Sequence, residues 1–136
     1  MSNKAPIIDA IIRGPKLFPW GIRWMSELLV GDPVGLFREP DNPVDSNAVF
    51  VTDQKERPFG YIQREKAFEL ALWMDRGWFY TAKVIKAPQV LRKRGMIGVK
   101  TDDCIVRCTP IPPAQKSTDI SIFKEFLKSK ELETID

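Results

Sequence analysis

The stretch REPDNPVDSN, residues 38–47, gathers four charged side chains, two asparagines and two prolines in ten residues, between the apolar runs VGLF and AVFV. A chain reversal needs far fewer polar groups of fixed geometry. An ionised Asp45 is an acceptor with no donor, so it takes a hydrogen bond from a hydroxyl and repels a phosphate. Asn42 and Asn47 carry both donors and acceptors and suit base edges or backbone. Arg38 can pair with Glu39 or Asp45 and hold the loop in shape. The alternative is turn chemistry alone, in which Asp and Asn fold onto their own backbone and proline fixes φ. On that reading Arg38 and Asn47 are scaffold, and Asp45 remains the foremost ligand contact. Glu39, Asp41 and Asp45 are also raw material for a carboxylate metal site, although Asn and Pro interleave them.

Aromatic and basic side chains form the next group. Phe18, Trp20, Trp24 and Tyr61 offer flat faces for unstacked bases, each stack contributing roughly 1–3 kcal/mol. Trp73 and Trp78, in segments with clear secondary-structure patterns, read as packing residues. For Trp20 and Trp24, exposure and burial are equally open. Net charge is +3, unevenly spread: residues 63–100 carry nine basic and three acidic side chains. Within that stretch Arg92, Lys93 and Arg94 cluster beside Gly95 and suit phosphates, with Lys83, Lys86 and Lys100 as extensions. The plainer reading is a solubilising basic face.

Other chemistry has little support. The chain has no histidine and two cysteines, Cys104 and Cys108. On one strand those thiols share a face roughly 13 Å apart, too far for a disulfide, so plain cysteines in a reducing compartment are expected. No nucleophilic triad, zinc cluster or GxxxxGK[ST] phosphate loop is present, so no enzyme activity and no cofactor are expected. The 136 residues are 43% hydrophobic and 29% charged, a globular composition of one-domain size. The first residues hold no apolar run of signal-peptide length, which predicts a cytoplasmic location, nucleoid-associated in a bacterial or viral setting.

The elements that must carry these residues follow from period and punctuation. Strands are expected at Ile7 to Arg13, Val34 to Arg38, Ala48 to Thr52, Pro58 to Ile62 and Trp78 to Lys86. Residues 15–27 lack a period and read as a long loop or distorted strand. Gln63 to Asp75 predicts a helix with a broad apolar face of Ala67, Phe68, Leu70, Ala71, Leu72 and Met74. PQVLRKRG is a basic loop or hairpin arm, and MIGVKTDDCIVRC completes the sheet. The expected organisation is a barrel domain over residues 1–108, a Pro-rich linker over 109–117 and an amphipathic C-terminal helix over 118–131. The fold class is α+β, mainly β: a small OB-like, partly open antiparallel barrel with one inserted helix.

VGDPVGLFREPDNPVDSNAVFV, then FGYIQREKAFELALWMDRG and TAKVIKA, closely resemble the HIRAN domain. The resemblance runs from about Ile7 to Lys86. Its long element is a strand ending in Arg-Glu-Pro, followed by Asp-Asn-Pro-x-Asp-x-Asn-Ala. The resemblance implies an OB-like barrel that grips single-stranded DNA at a free 3′ end, as in the N-terminal domains of fork-remodelling helicases. It implies a terminal-nucleotide pocket using Asp45, with Asn42, Asn47 and Arg38 beside it. Val44 stands where the family usually has an aromatic. The aromatic-basic segment around Lys16, Phe18, Trp20 and Trp24 has no residue-by-residue match.

The expected function is a nucleic-acid-binding module for single-stranded DNA at or near a 3′ end, in replication, repair or mobile-element biology. A second expectation is a protein-interaction module on the same scaffold, such as a viral or mobile-element inhibitor of a host enzyme. Its partner would be a helicase, nuclease or host-defence protein. A carboxylate-metal nuclease is the weakest reading.

Overall fold

The computed structural model describes residues 4–100 and 104–113. Eight strands run β1 Ile8–Arg13, β2 Pro33–Arg38, β3 Val49–Thr52, β4 Pro58–Ile62, β5 Phe79–Lys86, β6 Gln89–Lys93, β7 Met96–Lys100 and β8 Ile105–Ile111. Helix α1 is Gly21–Ser26, helix α2 is Arg64–Met74, and a 3-10 turn spans Pro15–Leu17. Six strands close an antiparallel barrel in the order β1-β4-β3-β2-β5-β8. This is the expected mainly β, OB-like α+β fold, with the barrel closed rather than partly open.

Closure depends on β1. Ile8 to Ile11 pair with β8, while Ile12 and Arg13 pair with β4. Alternation sends Ile8, Ala10 and Ile12 into the core, where Phe59, Val49, Val51, Val84 and Val106 meet them. On the outer face the cross-strand pair Asp9 and Arg107 forms a bidentate contact, Nε to Oδ1 at 2.9 Å and Nη2 to Oδ2 at 3.0 Å. The hydrogen-bonded guanidinium holds the Asp9 carboxyl below its usual range. Helix α2 follows the sequence reading closely, but its buried face is narrower. Ala67, Leu70 and Ala71 are buried against β1, β3 and β5, whereas Phe68 and Leu72 are exposed. Trp73 and Trp78 meet edge to face at 6.0 Å and pack on the core. No helix among the described residues is long and apolar enough to cross a membrane.

Three local expectations need correction. Residues 15–27 are neither loop nor strand but the 3-10 turn and α1. Gly21 permits their close approach, because a Cβ there would meet the Pro15 carbonyl oxygen at 2.1 Å. Trp20, before α1, takes φ 62°, a left-handed conformation costing a bulky residue about 1–2 kcal/mol. Second, β7 does not complete the barrel. It pairs with β6 in a separate hairpin turned by Arg94 and Gly95, both at positive φ. Third, β8 continues through Thr109, Pro110 and Ile111, residues expected to open the linker. Pro110 is tolerated because, among the described strands, only β5 flanks β8 beyond Cys108. The expected helix over 118–131 and the expected linker residues 114–117 lie outside the described residues.

Cys104 and Cys108 are both fully buried and reduced. Burial pushes each thiol from 9.0 up to about 12, and it pushes Tyr80, whose hydroxyl donates to the Pro6 carbonyl, from 10.0 up to about 12. The unfolded chain therefore releases these protons before the folded one does. Stability is complete below about pH 9 and falls as pH rises toward 12. Thermal melts should show Tm decreasing through this window, and a chain with both cysteines replaced by alanine should show a shallower decrease. At pH 8 the folded protein should resist iodoacetamide, and the denatured protein should take up two equivalents.

Candidate nucleic-acid interface

The 39–48 loop joining β2 to β3 folds onto itself before it offers anything to a ligand. The Asn42 side-chain oxygen accepts from the backbone N–H of Val44 and of Asp45, at 2.9 and 3.0 Å. Its amide nitrogen donates to Glu39. Asn42 therefore commits its side-chain oxygen twice and its amide nitrogen once to holding the loop, and acts as scaffold. Asp45 commits one oxygen, Oδ1, to the N–H of Asn47 at 2.9 Å. Its other oxygen, Oδ2, lies 3.9 Å from the Arg64 guanidinium at the start of α2. Asn47 serves the loop through its backbone N–H.

Arg38 lies behind the loop. Its Nε and Nη2 donate to Asp75 at 3.0 Å each, and its Nη1 donates to the carbonyls of Ser46 and Ala48 at 2.9 and 3.3 Å. One 17%-exposed side chain thus joins the end of β2, the loop and the end of α2. Glu39, the next residue, faces the other way and accepts the Tyr61 hydroxyl at 3.0 Å. Burial and the Glu39 carboxylate raise the Tyr61 pKa, so the phenol stays protonated.

Asn42, Asp45 and Tyr61 line one groove of about 460 Å³, together with Arg13, Leu17, Val44, Gln63 and Arg64. Strand β1 delivers Arg13 at its last residue, in register with Tyr61 on β4. Gln63 fixes the entry to α2 by accepting the Ile11 N–H on its side-chain oxygen at 2.7 Å and donating its own N–H to the Ile11 carbonyl at 2.9 Å. The groove is therefore lined by one carboxylate and two arginines. Its rim is apolar, formed by Leu17 at 73% exposure and Val44 at 84%.

The remaining expected residues divide. Phe18 leans on Tyr61, ring centroids 5.0 Å apart, and on Phe50 at 6.5 Å. Trp20 is exposed away from this groove, and Arg92, Lys93 and Arg94 are exposed on the separate hairpin. Lys83 and Lys86 belong to barrel strand β5, and Lys100 ends β7. Trp24 is not available for stacking in the way expected. It packs against the core, and the Arg57 guanidinium covers its ring at 3.7 Å. Arg13, Leu17, Gln63 and Arg64 line the same groove and were not among the expected residues. The available signal was positional: Arg13 ends a strand just before Gly14 and Pro15, and Arg64 opens a helix two residues after a strand ends.

A sequence model of the HIRAN domain matches residues 16–101, more than half of the chain. The chain belongs to the HIRAN domain family. Two solved structures share the fold. A protein from Lactobacillus plantarum superposes with a TM-score of 0.56 at 22% identity, covering 76% of this chain and 96% of that one. The HIRAN domain of human HLTF superposes with a TM-score of 0.52 at 17% identity, covering 90% of this chain and 87% of that one. No curated protein matches the chain.

Within this HIRAN domain, Arg38 is the joint that sets the loop against α2. Replacing it with alanine should lower stability in urea by about 1–2 kcal/mol, mostly through the two loop carbonyls, because Asp75 is more than half exposed and solvent screens its share. Lysine, a point charge without the guanidinium fork, should recover less than half of that loss.

Proposed function

We propose that this HIRAN domain is a nucleic-acid-binding module that receives the 3′ end of a single DNA strand in the groove between Arg13, Asp45, Tyr61 and Arg64. It binds and positions a strand end and leaves any chemistry to a partner. Membership in the HIRAN family supports the class of ligand, and the groove supports the mode.

One observation carries the reading: the division of Asp45. Oδ1 holds the loop through Asn47, while Oδ2 faces Arg64 at 3.9 Å, beyond hydrogen-bond distance and with lone pairs to spare. A 3′-hydroxyl is a donor and can reach that oxygen. A 3′-phosphate, or a strand that continues, brings like charge against it. Arg13 and Arg64, which line the same groove, suit the phosphate that precedes the terminal sugar. Leu17, Val44 and Tyr61 give the terminal base apolar and aromatic surface. With valine in place of an aromatic at position 44, base stacking contributes less and the hydroxyl contact more.

Fluorescence anisotropy with a labelled oligonucleotide tests this directly. The 3′-hydroxyl form should bind roughly 10–100-fold more tightly than the 3′-phosphate form, the range of a charge-assisted hydrogen bond. Asp45→Asn keeps an oxygen for the Asn47 N–H and removes the charge, so the difference should shrink with the loop intact. Affinity for both forms should fall steeply with salt. Equal binding of the two ends by the unmodified protein sinks the end-reading role. Absence of binding at low salt sinks nucleic-acid binding altogether.

A further inference from the structure

We infer that a second groove, on the other side of the Pro15–Leu17 turn, holds the nucleotides that precede the terminal one; this rests on the end-groove reading above. The second groove also measures about 460 Å³ and is lined by Lys16, Phe18, Trp20, Arg23, Gly95 and Ile97, among others. None of the described residues lining it is acidic. Arg23 forms an exposed pair with Glu27 at 3.7 Å.

Its far wall is the β6–β7 hairpin, which carries Arg92, Lys93, Arg94 and Lys100 and no acidic residue. Register sorts these cations. Arg92 pairs with Ile97, and Lys93 pairs with Met96. Paired residues share a face and successive residues alternate, so Arg92 lies on the groove side with Ile97, and Lys93 lies on the opposite side. The sequence cluster RKR is thus split by the hairpin, and Arg92 is the member placed to meet a ligand in the groove.

Trp20 gives the groove its chemistry. The indole is 67% exposed, so it adds little to the core, yet its backbone is held at φ 62°. A strained and exposed tryptophan does little for folding. What it offers is a flat face beside cations, the pairing that takes up unstacked bases and their phosphates. Phe18 joins the two grooves: it lines this one, and its ring lies 5.0 Å from Tyr61 in the other. A strand with its 3′ end at Asp45 can pass over Phe18 and continue along Trp20, with Lys16 and Arg92 beside its phosphates. A duplex keeps its bases stacked and has no use for the indole, so the occupant is single-stranded.

Anisotropy with 3′-hydroxyl oligonucleotides of about three and about eight nucleotides separates the two grooves, since barrel sites of this type take up about 4–16 nucleotides. The longer oligonucleotide should bind at least tenfold more tightly. Trp20→Gly should remove most of that gain and leave the short one unchanged. Glycine relieves the left-handed strain, so a loss of binding cannot be assigned to misfolding. Arg92→Ala should lower the salt slope for the long oligonucleotide by about one, and Lys93→Ala should lower it less. No gain with length, or an equal loss at both lengths in Trp20→Gly, overturns the second groove. A length gain that depends on Trp20 while 3′-hydroxyl and 3′-phosphate bind alike overturns the end groove and leaves the second one standing. Binding of an acidic peptide in competition with the long oligonucleotide, unaffected by Trp20→Gly, would also count against it.

Discussion

Six residues of β1 hold the barrel shut by serving two neighbours in turn. Ile8 to Ile11 belong to β8 and Ile12 and Arg13 to β4, so the strand crosses the seam along its own length. At the crossing point, backbone groups of β1 find partners outside the regular ladder. Ile12 donates to the Cys104 carbonyl at 3.0 Å, and Ile11 both donates to the Gln63 side chain and accepts from the Gln63 N–H. Gln63 is thus a surrogate strand residue where the ladder gives way to α2. Everything at the barrel mouth depends on this seam. Arg13 and Tyr61 are adjacent because they are its last registered pair, and Arg64 reaches the groove because the helix starts directly after Gln63.

The loop adds the complementary half by a division of labour among polar groups. Asn42 spends its side-chain oxygen on the loop and an amide N–H on Glu39. Glu39 is in turn held by Tyr61, so the loop is tied to β4 across the groove floor. Arg38 ties the same loop to α2 from behind. With scaffold duty carried by these three, Asp45 is the member whose second oxygen stays at the groove. The density of polar groups in this ten-residue stretch is explained by that requirement. Most of them build the platform that allows one carboxylate to be rigid and accessible together.

Legibility in the sequence followed the range of the interaction involved. Strand alternation and the α2 segment are local patterns, and both were readable to within a residue or two at most ends. The loop motif was readable as a motif, because Asn and Asp at those spacings fold their own backbone. What the sequence did not reveal was longer in range. Closure needs the β1 register on both sides, which no single segment encodes. The turn and short helix over 15–26 have no period, since a six-residue helix shows fewer than two turns of pattern and two prolines and a glycine obscure it. Trp24 could be exposed or buried on its own evidence, and the decision came from Arg57, more than thirty residues away.

Charge shows the same limit. The excess over residues 63–100 suggests one basic footprint, yet the fold distributes it over unrelated surfaces. Arg64 lines the groove with Asp45 and Tyr61, the Arg76 guanidinium lies 5.4 Å from the Trp73 ring centroid, Lys66 faces Glu69, and Lys83 sits on a barrel strand. Only the hairpin keeps several cations together, and even there the pleat sends Arg92 and Lys93 to opposite faces. A polyanion approaching this surface therefore meets positions rather than a uniform field. Arginines at the mouth and a cation-bearing hairpin lie on either side of the same Pro15–Leu17 turn. The close approach of Gly21 to Pro15 fixes the geometry of that turn, and with it the spacing of the cations on its two sides.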